Sequence, residues 1–146
     1  MKRFFTLTVL FLVISLAAPV LAGDTPDLTG DWHATGTMFV VKDGDLHVNK
    51  DVDIPGIAYT ISRQEGRLIY GVKKFTRTVD GVQHEENFVG VISEDGDDLY
   101  LADHEAGYAV GEIHDDGAVI ELMYFTDGSS NRKIEMAAGI HQLTRK

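Results

Sequence analysis

Three histidines lie beside carboxylates. His47 follows Asp45 by two positions, His84 precedes Glu85 and Glu86, and His104 sits between Asp103 and Glu105. Imidazole paired with carboxylate is a donor set for zinc or another transition metal, so His47, His84 and His104 are the candidate metal ligands. Their spacing matches no recurrent ligand motif, and exposed turn histidines are the plainer alternative. Glu94, Asp95, Asp97, Asp98, Asp115 and Asp116 offer hard oxygens to calcium, without the fixed spacing of a calcium loop. Tyr59, Tyr70, Tyr100, Tyr108 and Tyr124 each carry a ring and a hydroxyl, the combination that fixes a small, partly apolar molecule in a cavity. These five tyrosines, with His47, are the candidate ligand-binding residues; strand parity cannot place all five inside, and about half are expected in ordinary core or outer-face packing. Catalytic signals are few. Ser62, Ser93, Ser129 and Ser130 stand outside any nucleophile elbow, and there is no phosphate-cradling glycine loop and no cysteine. No catalytic residue is assigned and no cofactor is expected.

The elements that must position these groups are strands. From Leu28 onward, β-branched and apolar runs alternate with acidic, glycine-containing turns. The pattern predicts strands over about 29–41, 57–62, 67–76, 85–93, 98–103, 107–114, 118–125 and 134–144. Glu65-Gly66, Asp80-Gly81, Asp95-Gly96 and Asp116-Gly117 supply the positive φ of tight hairpins, and Asp127-Gly128 opens the last connection. Short links make each strand pair with its predecessor. Eight such strands are expected to close into an antiparallel up-and-down β-barrel, because closure removes both edges. The longest connection, Lys42 to Gly56, is expected to be a lid over the mouth; the alternatives are an ordinary flexible loop and a stub of strand added by Leu46-His47-Val48. Strands 67–76 and 118–125 are apolar on both faces, so the pattern leaves open which face points inward. The surplus apolar surface points to a protein partner, most simply a second copy.

The two ends of the chain carry a family resemblance. Leu28-Thr29-Gly30-Asp31-Trp32 opens the first strand with a Gly-x-Trp motif, and Thr144-Arg145 closes the last. The combination resembles the calycin group of lipocalins, fatty-acid-binding proteins and avidins. That resemblance implies a barrel whose closed end is built by Gly30, Trp32 and Arg145, with the guanidinium packed across the indole. Gly139 to Arg145 is similar to an avidin ending. Trp32 is nevertheless the sole tryptophan, and Lys133 stands where an avidin-like chain would offer an aromatic ring. The resemblance therefore implies the fold rather than a biotin pocket.

Composition sets the remaining bounds. Lys2 and Arg3, an apolar run from Leu7 to Val20, and Val20-Leu21-Ala22 read as a signal peptide over 1–22, with a single barrel domain over 23–146. Removing 22 of 146 residues leaves 124, with 11 Lys+Arg against 23 Asp+Glu and a net charge of −12. Such a charge disfavours nucleic acid and anionic membrane surfaces. The expectation is an exported protein, periplasmic or extracellular, with a small-molecule ligand and a homo-oligomer as its partners. It has two alternatives: a self-filled barrel serving as an interaction module, and a small barrel enzyme of the isomerase or cyclase kind.

Overall fold

The computed structural model describes residues 25–76, 81–104, 107–126 and 136–146, and of Lys42 and residues 49–56 the backbone alone. The expected leader over 1–22, the Asp127-Gly128 turn and Lys133 lie outside the described residues. Eight antiparallel strands follow in chain order: β1 (Gly30–Lys42), β2 (Asp45–Glu65), β3 (Leu68–Thr76), β4 (Gln83–Ile92), β5 (Asp98–Asp103), β6 (Gly107–His114), β7 (Val119–Thr126) and β8 (Met136–Arg145). Each pairs with its predecessor, and β8 returns to β1 over ten partners from Trp32↔Arg145 to Val41↔Met136, so the sheet is a closed barrel. Among the described residues the one helical turn is a short 3-10 segment, Asp115–Gly117.

The expected loop over Lys42 to Gly56 is corrected by this topology. β1 and β2 form one long hairpin that turns at Asp43 (φ 53°) and Gly44 (φ 80°). Both central residues have positive φ, as the primed two-residue turns matched to strand twist require. Between the pairs His33↔Ala58 and Thr35↔Asp53, β2 carries more residues than β1, and the strand accommodates Pro55-Gly56 in this irregularity. Paired strand therefore stands where a lid was expected, and Leu46-His47-Val48, the strand alternative, pairs with Val41, Val40 and Phe39.

Strand alternation sorts the side chains into a packed interior and a solvent face. Trp32, Ile61, Ile69, Phe88, Ile92, Leu99, Ile120, Leu122 and Leu143 are buried in one core. Residues 25–29 cross its base. Leu28 is fully buried; its N–H donates to Gln64 Oε1 at 2.8 Å, and Gln64 Nε2 donates to the Pro26 carbonyl at 2.8 Å. Trp32 is also fully buried, with its indole N–H donating to the Leu28 carbonyl at 3.0 Å. The Arg145 guanidinium carbon lies 4.8 Å from the Trp32 ring centre. Its nitrogens donate to the carbonyls of Thr29 at 3.0 Å, Gly117 at 3.3 Å and Asp27. Gly30 (φ 130°) lets the backbone pass beside this guanidinium. A stacked cation with its donors satisfied by carbonyls closes this end of the barrel.

Candidate functional site

The other end is built differently. Lys73 is one step along the inner face of β3 from the buried Gly71, and it is 4% exposed. Register places it directly opposite Tyr59 of β2 and Glu86 of β4. Asp103, opposite Phe88, ends the inner face of β5. The Lys73 ammonium lies 3.0 Å from Glu86 Oε2, donates to Asp103 Oδ2, and reaches the far wall 3.5 Å from the Tyr124 hydroxyl of β7. It also stands 4.5 Å from the centre of the Tyr124 ring and 5.2 Å from that of Phe75. His141 of β8 stacks on Tyr124, with ring centres 6.0 Å apart. One lysine thus ties opposite walls of the barrel through two carboxylates and two rings.

Glycine permits this convergence at one point. A Cβ on Gly107 would lie 2.5 Å from the Tyr124 hydroxyl and 2.8 Å from Asp103 Oδ2. Only a residue without a side chain lets those two groups meet Lys73.

Electrostatics fix the protonation states. Burial opposes the charge on Lys73, but the oxygens of Tyr59, Tyr124, Asp103 and Glu86 outweigh it and hold the ammonium above the ordinary lysine range. Burial raises the Tyr59 and Tyr124 hydroxyls above the ordinary phenol range. Burial, reinforced by Lys73, pushes His141 down to about 4, so its imidazole is neutral at physiological pH. Two side chains in this cluster lack partners. The Tyr59 hydroxyl and both nitrogens of His141 are buried without a hydrogen bond, although the residues are only 2% and 1% exposed. A buried polar group left unpaired costs about 1–3 kcal/mol.

The structure divides the tyrosines. Tyr59 and Tyr124 face the interior and join the cluster. Tyr70, Tyr100 and Tyr108 stand exposed on the outer face, which removes these three from the ligand-binding candidates and agrees with the expectation that about half of the five pack outside a cavity. The physical reason is parity: Tyr70 alternates with the buried Ile69 and Gly71, Tyr100 with Leu99 and Leu101, and Tyr108 with Gly107 and Ala109. The histidine candidates do not converge either. His47 is exposed near the hairpin tip opposite Val40, and His104 is exposed beyond β5 with its N–H donating to the Asn87 carbonyl at 3.0 Å. His84 stacks on Phe75 with ring centres 5.5 Å apart. Among the described residues no three His, Asp or Glu side chains are grouped to hold a metal ion. At the opposite end Asp95, Asp97, Asp98, Glu112, Asp115 and Asp116 line an open groove of about 900 Å³.

Lys73 and His141 were not among the sequence candidates, and Glu86 and Asp103 were named only as carboxylates beside the candidate metal-binding histidines. A signal for them exists: each shares parity with apolar residues of its own strand, so each is a polar side chain in an apolar row. Reading that signal requires knowing which face is inside.

No protein-family model matches this chain, and no curated protein matches it. Among solved structures it is similar to a redesigned beta barrel, at 11% identity and a TM-score of 0.48, over 82% of this chain and 91% of that one. It is also similar to a de novo designed fluorescence-activating beta barrel, at 12% identity and a TM-score of 0.46, over 84% of this chain and 98% of that one. The closed eight-stranded barrel rests on the strand pairing itself, and no family is identified for the chain.

Proposed function

We propose that this chain is an exported barrel that holds a small, partly apolar molecule in the mouth half of its interior. The observation that carries the reading is the pair of unpartnered groups, the Tyr59 hydroxyl and the His141 imidazole, buried beside the Lys73 ion cluster. A hydroxyl or amide brought by a ligand would pair with the Tyr59 hydroxyl and with one nitrogen of His141, since the hydroxyl both donates and accepts and neutral imidazole offers one donor and one acceptor. Met38, Phe75 and the Tyr124 ring pack on the adjoining core and offer the ligand apolar contact. Two carboxylates face one ammonium, so the cluster carries one net negative charge and disfavours an anionic head group. The polar end of the ligand is therefore neutral or cationic. Fixed protonation at Lys73, Tyr59 and His141 supports binding rather than proton transfer, which needs groups that titrate near the working pH.

Native mass spectrometry of the protein purified from its source tests the reading directly. It is followed by thermal-shift screening against neutral, cationic and carboxylate-bearing amphiphiles. We expect a retained small molecule, stabilisation by the first two classes, and about 5- to 30-fold weaker binding by Tyr59→Phe, as loss of one buried hydrogen bond implies. A protein that carries only water and responds to no class overturns the reading.

A further inference from the structure

We propose that two copies of this chain associate through the outer face of β4–β8, with their strands antiparallel across a two-fold axis between Val110 and Tyr108. This inference is independent of the ligand. Cross-strand register aligns two apolar rows on the outside of the barrel. One runs Val91, Tyr100, Val110, Met123, Ile140, each directly opposite the next. The other runs Val89, Ala102, Tyr108, Phe125, Ala138 in the same manner. Tyr108 and Phe125 stack with ring centres 5.3 Å apart, which presents a rigid aromatic surface.

The area suits a partner protein. Seven of these ten residues are between 37% and 56% exposed. With side chains of this size they offer roughly 700 Å² per copy, against ~300–600 Å² for the largest patch of an ordinary monomer and ~800 Å² per partner in a standard interface. Tyrosine, methionine and phenylalanine are also the residues enriched at interface cores.

Charge selects the orientation. The row next to the patch on the closed-end side is Asp98, Glu112, Glu121, each opposite the next. Two copies packed with parallel strands would stack six carboxylates, whereas antiparallel packing sends the two acidic rows to opposite edges. A bilayer is a poorer occupant. Two rows make a band about 10 Å tall, less than half the ~25 Å apolar band of a membrane-spanning barrel. On β3 and β4 one further row, Val72 opposite Asn87, separates the band from the Lys74–Glu85 ion pair at 3.3 Å on the mouth side.

The chain has no cysteine, so single cysteines report contact cleanly. Sedimentation velocity of the purified protein should give a dimer, or an assembly with an even number of copies. Met123→Glu and Tyr108→Lys, both outward-facing, should each weaken association at least 100-fold while keeping the native circular dichroism spectrum. Packed sheets lie ~10 Å apart, within reach of a short bismaleimide. Val110→Cys should therefore cross-link to itself, and Glu121→Cys should not. A monomer at tens of micromolar overturns the proposal, as does flotation of that monomer with phosphatidylcholine vesicles. Self-linking at Glu121→Cys without linking at Val110→Cys overturns the antiparallel arrangement.

Discussion

Replacing Lys73 with methionine isolates the energetics of the buried cluster. The ammonium is 3.0 Å from Glu86 Oε2, where Coulomb attraction is about 5 kcal/mol at an effective dielectric of about 20. Asp103 adds a second attraction of the same order, and desolvation of three ions offsets most of the sum. Lys73→Met leaves Glu86 and Asp103, with side chains 11% and 4% exposed, as two like charges without a counter-ion. Breaking such a group from one side costs about 3–5 kcal/mol. For a barrel of this size that lowers the thermal midpoint by about 10–20 °C. Urea and thermal unfolding followed by circular dichroism measure the loss. Adding Glu86→Gln and Asp103→Asn removes the orphaned charges and should recover more than half of it. A loss below about 1 kcal/mol in the single variant, or a triple variant no better than the single, would refute the argument that charge balance governs this level of the barrel.

Two other perturbations test the same cluster. The folded pKa of His141, about 4, lies below the ordinary value of 6.5, so the unfolded chain takes the proton more readily. The resulting stability is complete above about pH 7 and is lost as pH falls from 6.5 toward 4, a change of about 3 kcal/mol that His141→Gln should flatten in urea midpoints measured across that range. Gly107→Ala places a methyl 2.5 Å from the Tyr124 hydroxyl; it should cost about 1–3 kcal/mol by overpacking and shift the Tyr124 ring signals in NMR spectra.

The eight strands, their order and their closure followed from local information. Alternating β-branched runs and Asp-Gly turns confine each strand to its predecessor, and an eight-stranded meander has one way to lose both edges. The same turn signal was present at Asp43-Gly44. There a long, polar, proline-containing segment resembled a loop, and only the pairing of β2 with β1 made it strand.

The candidate site needed one further fact, the inner face of each strand. β3 and β7 are apolar on both sides, so period-two alternation alone could not say whether Lys73 or Lys74 points inward, nor which way Tyr124 points. Closure decided it by placing Trp32, Phe88 and Leu122 in the common core, which sends Lys73, Asp103, Tyr124 and His141 inside with them. Outside the Lys42–Gly56 segment the sequence by itself determined the strands and turns, because those depend on neighbours along the chain. The tertiary structure decided which polar groups meet, because residues from β2 through β8 converge only when the sheet curves round and shares one interior.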